Sequence, residues 1–100
     1  MVEIVINRSN NKDKKFDARI DNRKTVSFGA KGYEHFTEGH LDDKRRQSYV
    51  SRHGGGNQDW KDYETAGFWS YHLLWRKPTY KEAINTIERE FPKLRITMKK

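Results

Sequence analysis

Apolar residues in this chain recur with two different periods, and the change from one to the other divides it. The opening VEIVI at residues 2–6 is β-branched and is followed by the polar run NRSNNKDKK, which reads as a strand leaving through a loop. In KFDARID, Phe16, Ala18 and Ile20 alternate with charged neighbours, and in KTVSFGA, Val26 and Phe28 keep the same period of two. Only Asp21, Asn22 and Arg23 lie between these runs, so together they predict a β-hairpin. Gly29 and Gly32 end it.

From Leu41 the period lengthens. LDDKRRQSYVSRH places Leu41, Arg45 and Tyr49 one turn apart, with Asp42 and Asp43 at the front and Arg52 and His53 at the back, the polarity a helix dipole favours. Three glycines at 54–56 stop this helix. A second helix is predicted from about Glu64 to Lys77. Projected at 100° per residue, Ala66, Trp69 and Leu73 fall on one side, Phe68, Tyr71, His72 and Trp75 on another and Leu74 on a third, so it is apolar round most of its circumference and central to the domain. Gly67 would let a neighbouring segment approach its backbone. Pro78 ends it, and Thr79 with Glu82 has the spacing of a capping box for a third helix carrying Ala83, Ile84, Ile87 and Phe91. After Pro92, Leu94, Ile96 and Met98 alternate in a last strand. The expectation is a single α+β domain over residues 1–100, in which an antiparallel sheet of the N-terminal strands and the C-terminal strand packs against about three helices.

Composition narrows the function. Hydrophobic residues are 33% of the 100 and aromatics 13%, so one small core rich in rings is expected. There is no cysteine, which removes disulfides, thiolate metal sites and cysteine nucleophiles. No window is apolar for the roughly 20 residues of a membrane span, and the N-terminal apolar stretch is too short for a signal segment, so a soluble protein without a membrane partner is expected. The 21 Lys and Arg outnumber 14 Asp and Glu, giving +7, and polyanions are the natural partners of such a chain. The excess is spread out, +3 in residues 1–50 and +4 in residues 51–100.

KTVSFGAKGYEHFT, DDKRRQSYVSRH and AGFWSYHLLWRKPT together give K-x-V-x-F-G, R-x-x-Y-x-x-R-H and A-G-x-x-S-x-x-L-L-W-x-K-P. In their order and spacing these resemble a family of small basic uncharacterised proteins of large DNA viruses and phage-like genomes, over roughly Lys24 to Phe91. Tyr71 and Arg76 depart from that pattern, which elsewhere has arginine or tryptophan and asparagine there. The resemblance implies a viral origin and a place in the virion or the interior of an infected cell. It implies no particular activity.

Candidate chemistry is sparse. His35, His40 and Asp42 are weak candidates for a metal site, and hence for a metal-dependent nuclease, but HFTEGHLDD matches no recognised ligand spacing. His53 suits a helix C-terminus, and His72 among Trp69, Leu73 and Trp75 suits a buried, satisfied imidazole. GGGN lacks the G-K-[ST] of a phosphate-binding loop. Basic and aromatic interleaving is better represented. Lys44, Arg45, Arg46 and Arg52, with Arg95 and Lys99 near the C-terminus, could neutralise phosphates, and Trp60 beside Lys61 could stack on a base. The reading that follows is a non-enzymatic protein without a cofactor, binding nucleic acid, DNA in the first instance, through its backbone and without sequence preference. The alternatives are a virion structural protein meeting acidic surfaces of its neighbours, and the small nuclease.

Overall fold

The computed structural model describes residues 1–31, 35–37, 42–53 and 58–99. Strands β1 (Val2–Arg8), β2 (Lys14–Ile20) and β3 (Lys24–Ala30) are followed by helix α1 (Asp43–His53). A 3₁₀ turn (Gln58–Lys61), a helix α2 (Ala66–Trp69) running straight into a π-helix (Ser70–Trp75), helix α3 (Tyr80–Glu90) and strand β4 (Leu94–Met98) complete the order. The α+β architecture expected from the sequence is present.

The hairpin closes as its residues require. Asp21 and Asn22 have φ of 51° and 58°, and Arg23 N donates to Ile20 O at 3.0 Å, the type I′ geometry that matches strand twist and that Asp and Asn tolerate. The sheet order is β3-β2-β1-β4. Here the expectation of an all-antiparallel sheet is corrected: β4 pairs with β1 in parallel, with Ile4 opposite Ile96, so the sheet is mixed. A tight turn cannot join strands in this relation, and the chain must first travel back along the sheet. The helices between β3 and β4 make that return, and so they cover one face. Ile4, Ile6, Phe16, Ala18, Ile20, Val26, Phe28, Leu94 and Ile96 line that face and are buried. On the other face Glu3, Arg19, Thr25, Arg95 and Thr97 are exposed.

The second predicted helix forms with a different pitch in its latter half. Thr65 caps it, accepting from Phe68 N, and after Trp69 it widens into π geometry and stops at Trp75 rather than Lys77. Phe68, Trp69, His72, Leu73 and Leu74 are all buried, as a helix central to the core demands. A helix with i→i+5 bonding turns less per residue, so more consecutive side chains can point inward than α geometry permits. The Trp69 indole N–H is satisfied by Tyr63 O at 2.7 Å. Gly67 allows the close approach expected of it, since a Cβ there would lie 3.1 Å from Asp59 Cβ. Helix α3 opens with Thr79 accepting from Glu82 N, the threonine half of the capping box, and buries Ala83 and Ile87.

Helix α1 is different in kind. None of its residues is buried. Asp42 Oδ1 caps it by accepting from Arg45 N at 3.0 Å. Two side chains fasten it to the π-helix. Arg46 Nε donates to Arg76 O at 3.0 Å, and the Tyr49 ring stacks on Trp75 with centroids 4.5 Å apart and planes 2° from parallel.

Candidate nucleic-acid interface

The docked α1 leaves a cleft of about 340 Å³ between its last two turns, the end of the β2–β3 hairpin and the π-helix. Gly29 is among the residues that line it. With φ at +79° it turns β3 in a conformation that side-chain-bearing residues rarely adopt, and a Cβ there would come within 2.9 Å of Leu74 Cδ1. At the strand end of the cleft, Lys15 Nζ lies 2.7 Å from His35 Nδ1, and His35 Nε2 lies 3.1 Å from Tyr80 Oη. An ammonium can only donate, so Nδ1 is the acceptor and the ring proton sits on Nε2, facing the tyrosine oxygen. His35 in this tautomer holds Lys15 in place.

The helical side is a ladder of rings. His53 lies over Tyr49 with centroids 4.4 Å apart, and Tyr49 in turn stacks on Trp75. Burial in this stack pushes the Tyr49 hydroxyl pKa up to about 12, against the pull of nearby Arg52. Arg52 is exposed, and it lines the cleft together with His53, Lys15 and His35. Ser70 and Leu74 contribute from the π-helix, and among the described residues none of the lining side chains is acidic. The result is a concave site lined by two cations and two imidazoles together with apolar and aromatic surface.

The sequence-predicted residues separate into several places. Lys44, Arg45 and Arg52 are exposed on α1, and Arg45 and Arg52, seven residues or about two turns apart, share one side of it. Arg46 is half-buried, with its guanidinium also 5.8 Å from the centroid of the Phe36 ring, and it works as a fastener for the helix. Lys61 is exposed on the 3₁₀ turn. Trp60 has one face taken, since it stacks on Tyr71 with centroids 3.6 Å apart and planes 6° from parallel. Arg95 is on the face of the sheet away from the helices, opposite Glu3, with Nε against Met1 Sδ. Lys99 follows β4, its backbone N–H donating to Ile6 O. These two do not join the α1 cations on one surface. Of the weak metal candidates, His35 is bonded through both ring nitrogens, Asp42 caps α1, and His40 lies outside the described residues, as do the glycines at 54–56. Among the described residues no group of three potential ligands is assembled.

Sequence reasoning missed Lys15, Ser70 and the pairing of Tyr49 with Trp75 as parts of one site. The spacing of Arg46, Tyr49 and His53 held a usable signal, because residues three and four apart share a helix face, and that face is the one turned toward the π-helix. Lys15 offered none, since it reads as any cation on an alternating strand.

A second polar cluster lies behind the site. His72, 4% exposed, donates from Nε2 to Trp60 O at 2.8 Å, which leaves Nδ1 to accept from Arg76 Nη1 at 3.3 Å. Burial holds the His72 pKa below the usual imidazole value, and the Arg76 charge lowers it further. Arg76 also forms a two-pronged pair with Glu90, which keeps that carboxyl below its ordinary range. His72 is thus the satisfied buried histidine its apolar neighbours suggested, and it ties the 3₁₀ turn to the π-helix.

The fold and the site define a small α+β protein with a cation-rimmed cleft beside a peripheral helix. Residues 4–53, half of the chain, match the model of a family of unknown function (DUF5754), and the protein belongs to that family. The match runs from β1 to the end of α1 and so includes Lys15, His35, Tyr49, Arg52 and His53. No curated protein and no solved structure matches the chain.

Proposed function

We propose that this protein binds nucleic acid without sequence preference, through backbone phosphates held by α1 and the cleft beside it. The observation that carries the reading is the division of labour among the cations. Arg23 and Lys24 face Glu64, Arg76 faces Glu90, and Arg46 is engaged in docking. Lys44, Arg45 and Arg52 form no ion pair among the described residues, and they sit on one exposed helix that leads into the cleft held by Lys15. Exposed cations of this kind neutralise phosphates and release their counterions. Among the described residues no element presents a row of side chains suited to reading base edges, and with one face of Trp60 on Tyr71 the contribution of stacking is small. A role in genome packaging or nucleoprotein organisation is the context that the viral resemblance supplies.

The test is fluorescence anisotropy on labelled duplex and single-stranded DNA of two unrelated sequences, from low to moderate salt. Contact with about three phosphates through Lys44, Arg45 and Arg52 gives a slope of log K against log salt of about −2 to −3, the same for both sequences. An affinity that does not change with salt refutes the proposal.

A further inference from the structure

We infer that Ser48 on α1 is a phosphorylation site for a serine kinase that favours basic sequences, and that the phosphate releases bound nucleic acid. The site stands on the helix itself, and the release rests on the nucleic-acid reading above. Arg45-Arg46-Gln47-Ser48-Tyr49 sets arginines two and three positions before a serine and a large ring directly after it. Kinases with acidic substrate grooves read that charge pattern. Ser48 is exposed. At about 100° per residue it is about 40° round the helix from Lys44 and from Arg52, and about 60° from Arg45, so it sits amid the cations that the proposed function uses. Tyr49 and Arg46, which fasten the helix, are about 100° and 160° away from it. Phosphoserine carries a charge of about −1.5 to −2 at neutral pH and three acceptor oxygens. Residues three and four apart on a helix are neighbours, so from this one position the group reaches Lys44, Arg45 and Arg52 and cancels at least half of their charge.

The structure separates Ser48 from a second residue with the same pattern. Arg76-Lys77-Pro78-Thr79 repeats the spacing, and Thr79 is exposed too. Its hydroxyl, however, accepts from Glu82 N at the start of α3, and Arg76 is held in its two-pronged pair with Glu90. Arg46 is also engaged, by Arg76 O, but α1 buries no residue and is fastened by that bond and the Tyr49–Trp75 stack. A kinase takes its serine in extended chain, and a peripheral helix of this kind opens locally far more readily than an element of the core. Transfer then forms a bond from Ser48 Oγ to the γ-phosphorus of ATP, breaks the bond from that phosphorus to the oxygen that leaves with ADP, and passes the hydroxyl proton to the catalytic carboxylate of the kinase.

The experiment treats the full chain with ATP and the catalytic subunit of cAMP-dependent protein kinase, maps the phosphate by tandem mass spectrometry, and measures anisotropy on labelled DNA before and after. The expected result is phosphate on Ser48, with slower incorporation there in Arg45→Ala. Incorporation is faster in Trp75→Ala, which frees α1 without touching the residues the kinase reads, its fold being checked by circular dichroism. The phosphorylated protein binds DNA about tenfold or more weakly at low salt, its slope against log salt is smaller in magnitude by about 1 to 2, and phosphatase restores both. Thr97→Glu, which adds a negative charge on the open face of the sheet, binds close to the parent protein. Phosphate on Thr79 with Ser48 unmodified, or none on Ser48 in either the parent or Trp75→Ala, overturns the site. Phosphate on Ser48 with DNA affinity and slope unchanged overturns the release and leaves the nucleic-acid reading intact. If the unmodified protein binds no DNA while Ser48 takes phosphate, the nucleic-acid reading and the release fail together and the site stands.

Discussion

Replacing Tyr49 by alanine should release α1 from the domain without unfolding it. The helix has 11 residues and buries none of them, and a helix of that length is marginal in water by itself. Its hold on the π-helix comes from the Tyr49–Trp75 stack and the Arg46 bond to Arg76 O. Truncation removes an aromatic pair worth about 0.5–1.5 kcal/mol. It also exposes roughly 100 Å² of apolar surface, about 2.5 kcal/mol at the usual transfer coefficient. The Arg46 hydrogen bond, about 1 kcal/mol, cannot replace a loss of about 3 kcal/mol. Amide hydrogen exchange in residues 43–53 should then accelerate by about 100-fold while β1 and β2 keep their protection. Tyr49→Phe keeps the ring and should keep the protection, and it should also remove from a spectrophotometric titration the ionisation that burial pushes up to about 12. Unchanged exchange in α1 of a folded Tyr49→Ala variant would refute this account of how the helix is attached.

The remaining predictions concern the frame around the cleft. His72 has a folded-state pKa below its unfolded value of 6.5, so the unfolded chain binds its proton more tightly. Stability is therefore complete above that pH and falls as pH drops through the lower folded value, and urea unfolding at about pH 7.5 and about pH 5 should show a smaller loss in His72→Gln. Gly29→Ala places a Cβ 2.9 Å from Leu74 Cδ1 at a φ of +79°, and should cost about 2 kcal/mol or more, read as a lower thermal midpoint. Thr79→Ala removes the oxygen that accepts from Glu82 N and should cost about 1 kcal/mol in denaturant unfolding.

What could be read in advance was what depends on near neighbours in the chain. Alternation at Phe16, Ala18, Ile20, Val26 and Phe28, with Asp21 and Asn22 between, is enough to specify a hairpin. Thr79 and the spacing from Ala83 to Phe91 specify α3. The direction of β4 was not legible, because Leu94, Ile96 and Met98 alternate in the same way whether a strand runs parallel or antiparallel to its partner. Nor was the π geometry of residues 70–75, whose apolar pattern fits a fully buried α-helix equally well. The cleft was the least accessible feature of all. It brings Lys15 from β2, His35 from beyond β3, Arg52 from α1 and Ser70 from the π-helix together through long-range packing, and the positive φ of Gly29, which also lines it, is not encoded by any short spacing. Counting cations singled out α1 but could not distinguish Arg46, which fastens it, from Arg45 and Arg52, which face solvent.

The central claim is that α1 presents the cations that meet phosphate, and it is tested most directly by the salt dependence of DNA binding in a Lys44→Ala/Arg45→Ala/Arg52→Ala variant beside an Arg95→Ala/Lys99→Ala variant. The trio lies on α1 and the pair in or just after β4, and all five side chains are exposed, so both variants should fold. The predicted result is a fall in the magnitude of the slope by about 2 to 3 for the α1 variant, with the β4 variant close to the parent protein. An α1 variant that binds DNA with the parent slope and affinity would contradict the account.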